Sequence, residues 1–141
     1  MNYQRMALAA VIATVVDLVY GFLIYGWLIA DAYNPYPGVY RSGVAVRSYM
    51  PLGFAGIFIA ILVLAVIYAK GYEGGHGAVE GTRFGVLAGI FVVCELVGTN
   101  YVTLNIGGKL ALEQAAVALV EWTILGIVIG LIYKPAAADV R

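Results

Sequence analysis

No lysine or arginine falls within any of the four long apolar runs of this chain, although three acids lie deep inside them: Asp17, Glu95 and Glu121. Charged residues fill only 11% of the 141 positions and hydrophobic ones 63%, whereas a soluble domain carries roughly 25% charge. The eight basic residues are scattered and balance eight acidic ones, so no basic patch is offered to nucleic acid. The single cysteine, Cys94, excludes an internal disulfide and a CxxC redox or zinc motif. Its place within an apolar run reads as that of a small buried residue. The single histidine, His76, excludes bis-histidine haem ligation within one chain and reads as a solvated loop residue. The glycine-rich stretch 71–81 has neither a preceding strand nor the Lys-Ser/Thr pair of a phosphate-binding loop. No nucleophile–base pair and no metal constellation is visible, so the expectation is no enzyme, no metal and no cofactor.

What remains is a membrane composition, with a mean hydropathy of +0.94. Residues 6–30, 51–69, 84–104 and 111–133 are apolar, and a span needs about 20 such residues. The expected fold is all-α and integral to the membrane: one domain over residues 1–141, with four transmembrane helices in an antiparallel bundle. The first run is too long for a signal-peptide core and is interrupted by Asp17, so it reads as a span. Pro51 suits the first turn of the second helix. Lys134-Pro135 reads as the stop of the fourth. Arg5, Lys70, Arg83, Lys134 and Arg141 fall on one side of such a bundle, and only Arg41, Arg47 and Lys109 on the other. The positive-inside rule then places both termini in the cytoplasm.

An acid at mid-membrane depth is costly, and each of the three is a functional-site hypothesis by default. All three lie near the middle of their runs, so a shared polar site is expected. With no basic partner in those runs, at least one is expected to hold its proton. Around Asp17, helical spacing gathers Ala10, Ala13, Thr14, Tyr20 and Gly21. Around Glu95 it gathers Ala88, Gly98 and Thr99, and around Glu121 it gathers Gln114 and Ala118. Two readings stand side by side: a hydrogen-bonded structural contact between helices, with Thr14 and Thr99 as partners, and a proton- or cation-linked site. Asp17-Leu18-Val19 echoes Glu95-Leu96-Val97. The chain therefore reads as two related hairpins, in which Asp17 and Glu95 face each other across a pseudo-two-fold axis.

Gly85 and Gly89, and again Gly126 and Gly130, have the GxxxG spacing that lets helix backbones approach closely. On a helical wheel the second pair falls opposite Glu121, free to pack within the bundle or against another protomer. Tyr33, Tyr36 and Tyr40 lie in the long loop after the first run. They read as an interfacial aromatic belt or as a docking surface for a partner.

Lys70-Gly71-Tyr72-Glu73-Gly74, Glu80-Gly81-Thr82-Arg83-Phe84-Gly85, Val120-Glu121-Trp122 and Gly130-Leu131-Ile132-Tyr133-Lys134-Pro135 together resemble small bacterial four-helix membrane proteins of unknown function, the DUF1761-like group. That resemblance implies a fold and a bacterial inner-membrane location and assigns no activity. The expected function is that of a non-enzymatic accessory or oligomerising membrane subunit, partnered by the lipid bilayer, by further copies of itself or by other membrane proteins. The alternative is a small proton-coupled transporter or channel that uses the midplane carboxylates.

Overall fold

The computed structural model describes residues 1–41 and 43–133. The Lys134-Pro135 stop and Arg141 lie outside them. Among the described residues the chain is helical and has no strand. Helix α1 (Tyr3–Leu23) starts at Asn2, whose side-chain oxygen accepts the Arg5 N–H at 3.2 Å. It runs into a π-helical turn (Ile24–Leu28) and a 3-10 turn (Ala30–Tyr33). Helix α2 covers Gly43–Lys70, and α3 covers Gly77–Val92. A second π-helical segment (Val93–Gly98) joins α3 to the short α4 (Thr99–Thr103), and α5 covers Gly108–Ile132. Among the described residues four helical stretches are long and apolar enough to cross a membrane: Tyr3–Leu28, Gly43–Lys70, Gly77–Thr103 and Gly108–Ile132.

All four spans begin earlier than hydropathy indicates, the second and third by the most. Helix α2 starts at Gly43, so Pro51 lies inside it and not in its first turn. Proline lacks the N–H that would bond back to the Arg47 carbonyl, yet the helix continues through it. Helix α3 starts at Gly77, so Gly77 and Gly81 belong to a helix and not to the glycine-rich loop. The true turn is shorter. It uses Gly74 at φ +88°, and the Glu73 N–H donates to Glu80 Oε1 at 2.9 Å.

The earlier start of α3 has a packing cause. Gly77, Gly81, Gly85 and Gly89 recur every fourth residue and so share one helix face. A Cβ at Gly85 would stand 2.6 Å from the Trp122 carbonyl oxygen, and one at Gly89 would stand 2.9 Å from Leu119 Cδ1. At Gly77 and Gly81 it would run into the carbonyls of Gly130 and Gly126. The GxxxG pairs of α3 and α5 thus meet within the chain, backbone against backbone.

The remaining core joins Ala9, Ala10 and Ala13 of α1, Ile61, Ala65 and Tyr68 of α2, and Leu125, Ile129 and Tyr133. It closes the end of the molecule where the chain begins. There the rings of Tyr68, Tyr72, Phe84 and Tyr133 stand edge to face or tilted, with centroids 5.4–6.2 Å apart. They form an aromatic plug.

At the other end the tyrosine loop folds back onto α5. The Gly107 N–H donates to the Tyr36 hydroxyl at 2.9 Å. Gln114 Nε2 donates to the hydroxyls of Tyr33 and Tyr40 at 3.4 and 3.3 Å, and those two rings pack edge to face at 4.9 Å. Burial pushes the Tyr33 hydroxyl above the usual phenol range, so it stays protonated. These three tyrosines are half-buried and tie the loop to the start of α5. Tyr36→Phe removes the acceptor of the Gly107 N–H, at an expected cost of about 0.5–1.5 kcal/mol. Faster hydrogen exchange at Gly107 checks it, and unchanged exchange argues against a latch at this point.

Candidate functional site

Asp17 sits on the face of α1 that carries Ala10, Ala13 and Thr14, all buried. Those small neighbours let α5 come close, and Asp17 itself is 8% exposed. The helix opposite presents Glu121. The two carboxyl groups line the same cavity from α1 and α5, close enough to act on each other. The Tyr25 hydroxyl donates to Glu121 Oε2 at 2.9 Å. One turn before Glu121, the Val117 carbonyl accepts from the Tyr20 hydroxyl at 2.8 Å, which ties α1 to α5 beside the pair.

Tyr25 reaches the acids from the π-helical turn, where the Ile29 N–H bonds to the Ile24 carbonyl at 2.9 Å. A π-turn widens the helix and shifts the register of the residues beyond it, and such turns recur at functional sites. The third span has the same device at Val93–Gly98.

Both acids line a cavity of about 730 Å³. Its walls are mostly apolar and include Phe22, Phe54 and Trp122, while Asn100 and Gln114 add amide groups further along. Among the described residues no Lys, Arg or His lines it. Phe22 and Leu96, which line the cavity, are also exposed, so it opens to the surface.

Of the residues singled out from sequence, Asp17 and Glu121 are brought together, and Glu95 is not. Glu95 is exposed within its π-helical segment. Asp17 is therefore paired with Glu121, and the expected facing of Asp17 and Glu95 across a two-fold axis does not occur. The π-turn is the physical reason: Glu95 lies inside it, where regular helical spacing no longer gives the face. The same segment exposes Cys94, which the sequence reading buried. Neither threonine serves the acids. Thr14 donates to the Ala10 carbonyl at 2.8 Å, and Thr99 donates to the carbonyls of Glu95 and Leu96, so each hydroxyl is used on its own helix. Sequence reasoning missed Tyr25. A tyrosine within an apolar run needs a partner for its hydroxyl, and that requirement was the available signal.

Among the described residues no group of three or more His, Cys, Asp or Glu could hold a metal ion. No family model, no curated protein and no solved structure matches this chain.

Proposed function

We propose that this is a non-enzymatic, multi-pass protein of a bacterial inner membrane, in which the Asp17–Glu121 pair exchanges its proton against a small molecule taken up in the adjoining cavity. The four spans form an antiparallel bundle with both termini in the cytoplasm, and the pair lies near the bilayer midplane. The function is that of a small proton-coupled carrier. The observation that supports it is that two carboxyl groups converge on one apolar cavity with no cation among its described lining residues. A purely structural contact would need a partner for each acid but no open space beside them. Space, walls and two convergent acids are what a binding site requires.

The test uses purified protein in vesicles with an acid interior and a pH-sensitive dye. A panel of small amines, amino acids and organic acids is added outside. At least one class dissipates the gradient with the parent protein and with Glu95→Gln, but not with Asp17→Asn or Glu121→Gln. Responses equal to those of empty vesicles for every solute, or a full response from both acid variants, overturn the carrier reading.

A second reading keeps the accessory or oligomerising role, and one observation favours it. Gly53 and Gly56 of α2 are exposed, and a Cβ at either meets nothing within 4 Å. That outward face would accept a helix from a second copy or another membrane protein. Gly53→Leu then shifts the oligomeric state in mild detergent, and a parent protein that migrates as a monomer removes this reading.

A further inference from the structure

We infer that the cavity takes a lipophilic organic monocation, a tertiary amine or quaternary onium with an aromatic or branched apolar body. The inference rests on the reading of this cavity as a binding site, but not on proton coupling.

The lining sets the charge. Asp17 from α1 and Glu121 from α5 are the acids there, with the Tyr25 and Tyr20 hydroxyls beside them. The lining residues from α2 are Met50, Phe54 and Ile57, and none of them ionises. Those from the third span are Val92, Leu96, Val97 and Asn100, and none of them ionises either. Glu95 is exposed elsewhere. An anion therefore meets only like charge, while a cation meets two carboxyl groups. A neutral apolar guest leaves the acids without a role.

The walls set the body. A divalent metal ion takes six or more hard oxygen ligands, often with water among them, and this cavity offers two carboxyls and the Tyr25 phenol against aromatic and aliphatic walls. A bulky onium suits those walls, since aromatic ring faces attract a desolvated cation. Phe22, Phe54 and Trp122 supply the rings. A volume of about 730 Å³ is within the range of pockets that hold drug-sized molecules. Gln114 lies two helical turns from Glu121, which sets the reach from acid to amide at roughly 10 Å.

Two probes of matched size and opposite charge test this directly: tetraphenylphosphonium and tetraphenylborate. The chain has two tryptophans. Trp27 is 77% exposed, and Trp122 lines the cavity. Trp27→Phe therefore leaves Trp122 as the reporter. In neutral detergent, tetraphenylphosphonium changes Trp122 fluorescence saturably and tetraphenylborate does not. In the same background Glu121→Gln weakens tetraphenylphosphonium by about tenfold or more, as the loss of a close charge partner does. A saturable response to tetraphenylborate equal to that of the phosphonium overturns the proposal, as does no saturable response to either. The comparison of probes needs no acid variant, so it stands even where Glu121→Gln fails to fold. Proton release distinguishes the two readings. Phosphonium binding with no proton released in weak buffer leaves the cation site standing and removes the proton coupling. A solute that dissipates the gradient through Asp17 and Glu121 while the phosphonium fails to bind removes the cation site and keeps the carrier.

Discussion

Glu121→Gln is expected to leave the protein folded and, on the proposed carrier function, to abolish the proton-coupled response. The amide is close to the protonated acid in shape. Its oxygen still accepts from the Tyr25 hydroxyl, and its NH2 faces the Asp17 carboxyl across the cavity lining. What it cannot do is release a proton. The expected change in stability is within about 1 kcal/mol, the net worth of one ordinary hydrogen bond. Glu121→Ala behaves differently. It leaves the Tyr25 hydroxyl without its partner, which costs about 1–3 kcal/mol. Two acids that hold one proton between them act as a unit, and on that arrangement Asp17→Asn combined with Glu121→Gln is no worse than either alone. Vesicle dye measurements and thermal unfolding in detergent give both halves of the comparison. A Glu121→Gln protein that keeps most of its response, or a double variant that loses far more than each single one, contradicts the shared-proton arrangement.

The second large effect is on stability and comes from the glycine seam. Gly81→Ala and Gly126→Ala each insert a methyl group into an opposing backbone carbonyl, which cannot rotate away as a side chain does. Overpacking of this kind costs about 1–3 kcal/mol, with the upper end expected where backbone must move. Gly77→Ala and Gly130→Ala fall in the same class. Gly53→Ala and Gly56→Ala are the matched controls. They add the same methyl group on α2 where nothing lies within 4 Å, and alanine favours a helix over glycine by up to about 1 kcal/mol. Unfolding in a denaturing detergent separates the two sets. Equal midpoints for Gly81→Ala and Gly53→Ala would remove the seam as a source of stability.

The four apolar helices were legible in the sequence because hydropathy needs only length and composition. Their starts were less so. Hydropathy undervalues glycine, and the four-residue recurrence from Gly77 to Gly89 looks like a loop until a second helix is brought against it. Half of the candidate site was legible. Asp17 and Glu121 stand out by their depth in apolar runs, and Ala10 and Ala13 mark the face along which they meet. Glu95 has the same depth and composition, and what excludes it is the π-turn that contains it, a backbone feature with no residue signature here. Tyr25 was hidden for the same reason, since it too lies in a π-turn. Thr14 and Thr99 looked like partners by spacing. A hydroxyl one turn from its own carbonyl satisfies itself first.

The seam also divides the molecule mechanically. Helix α3 lies against α5 along four successive turns, close enough that neither slides without the other. Helix α2 has no such bond. It leans chiefly on α1 and meets α5 only at its margin. One side of the cavity is thus a fixed jamb, and the other, through Met50, Phe54 and Ile57, is a hanging leaf. Pro51 stands in that leaf, at a point where one backbone bond to the Arg47 carbonyl is missing and a helix bends most easily. The bundle is thus stiffest behind Glu121, along the glycine seam, and most easily bent in α2 near Pro51.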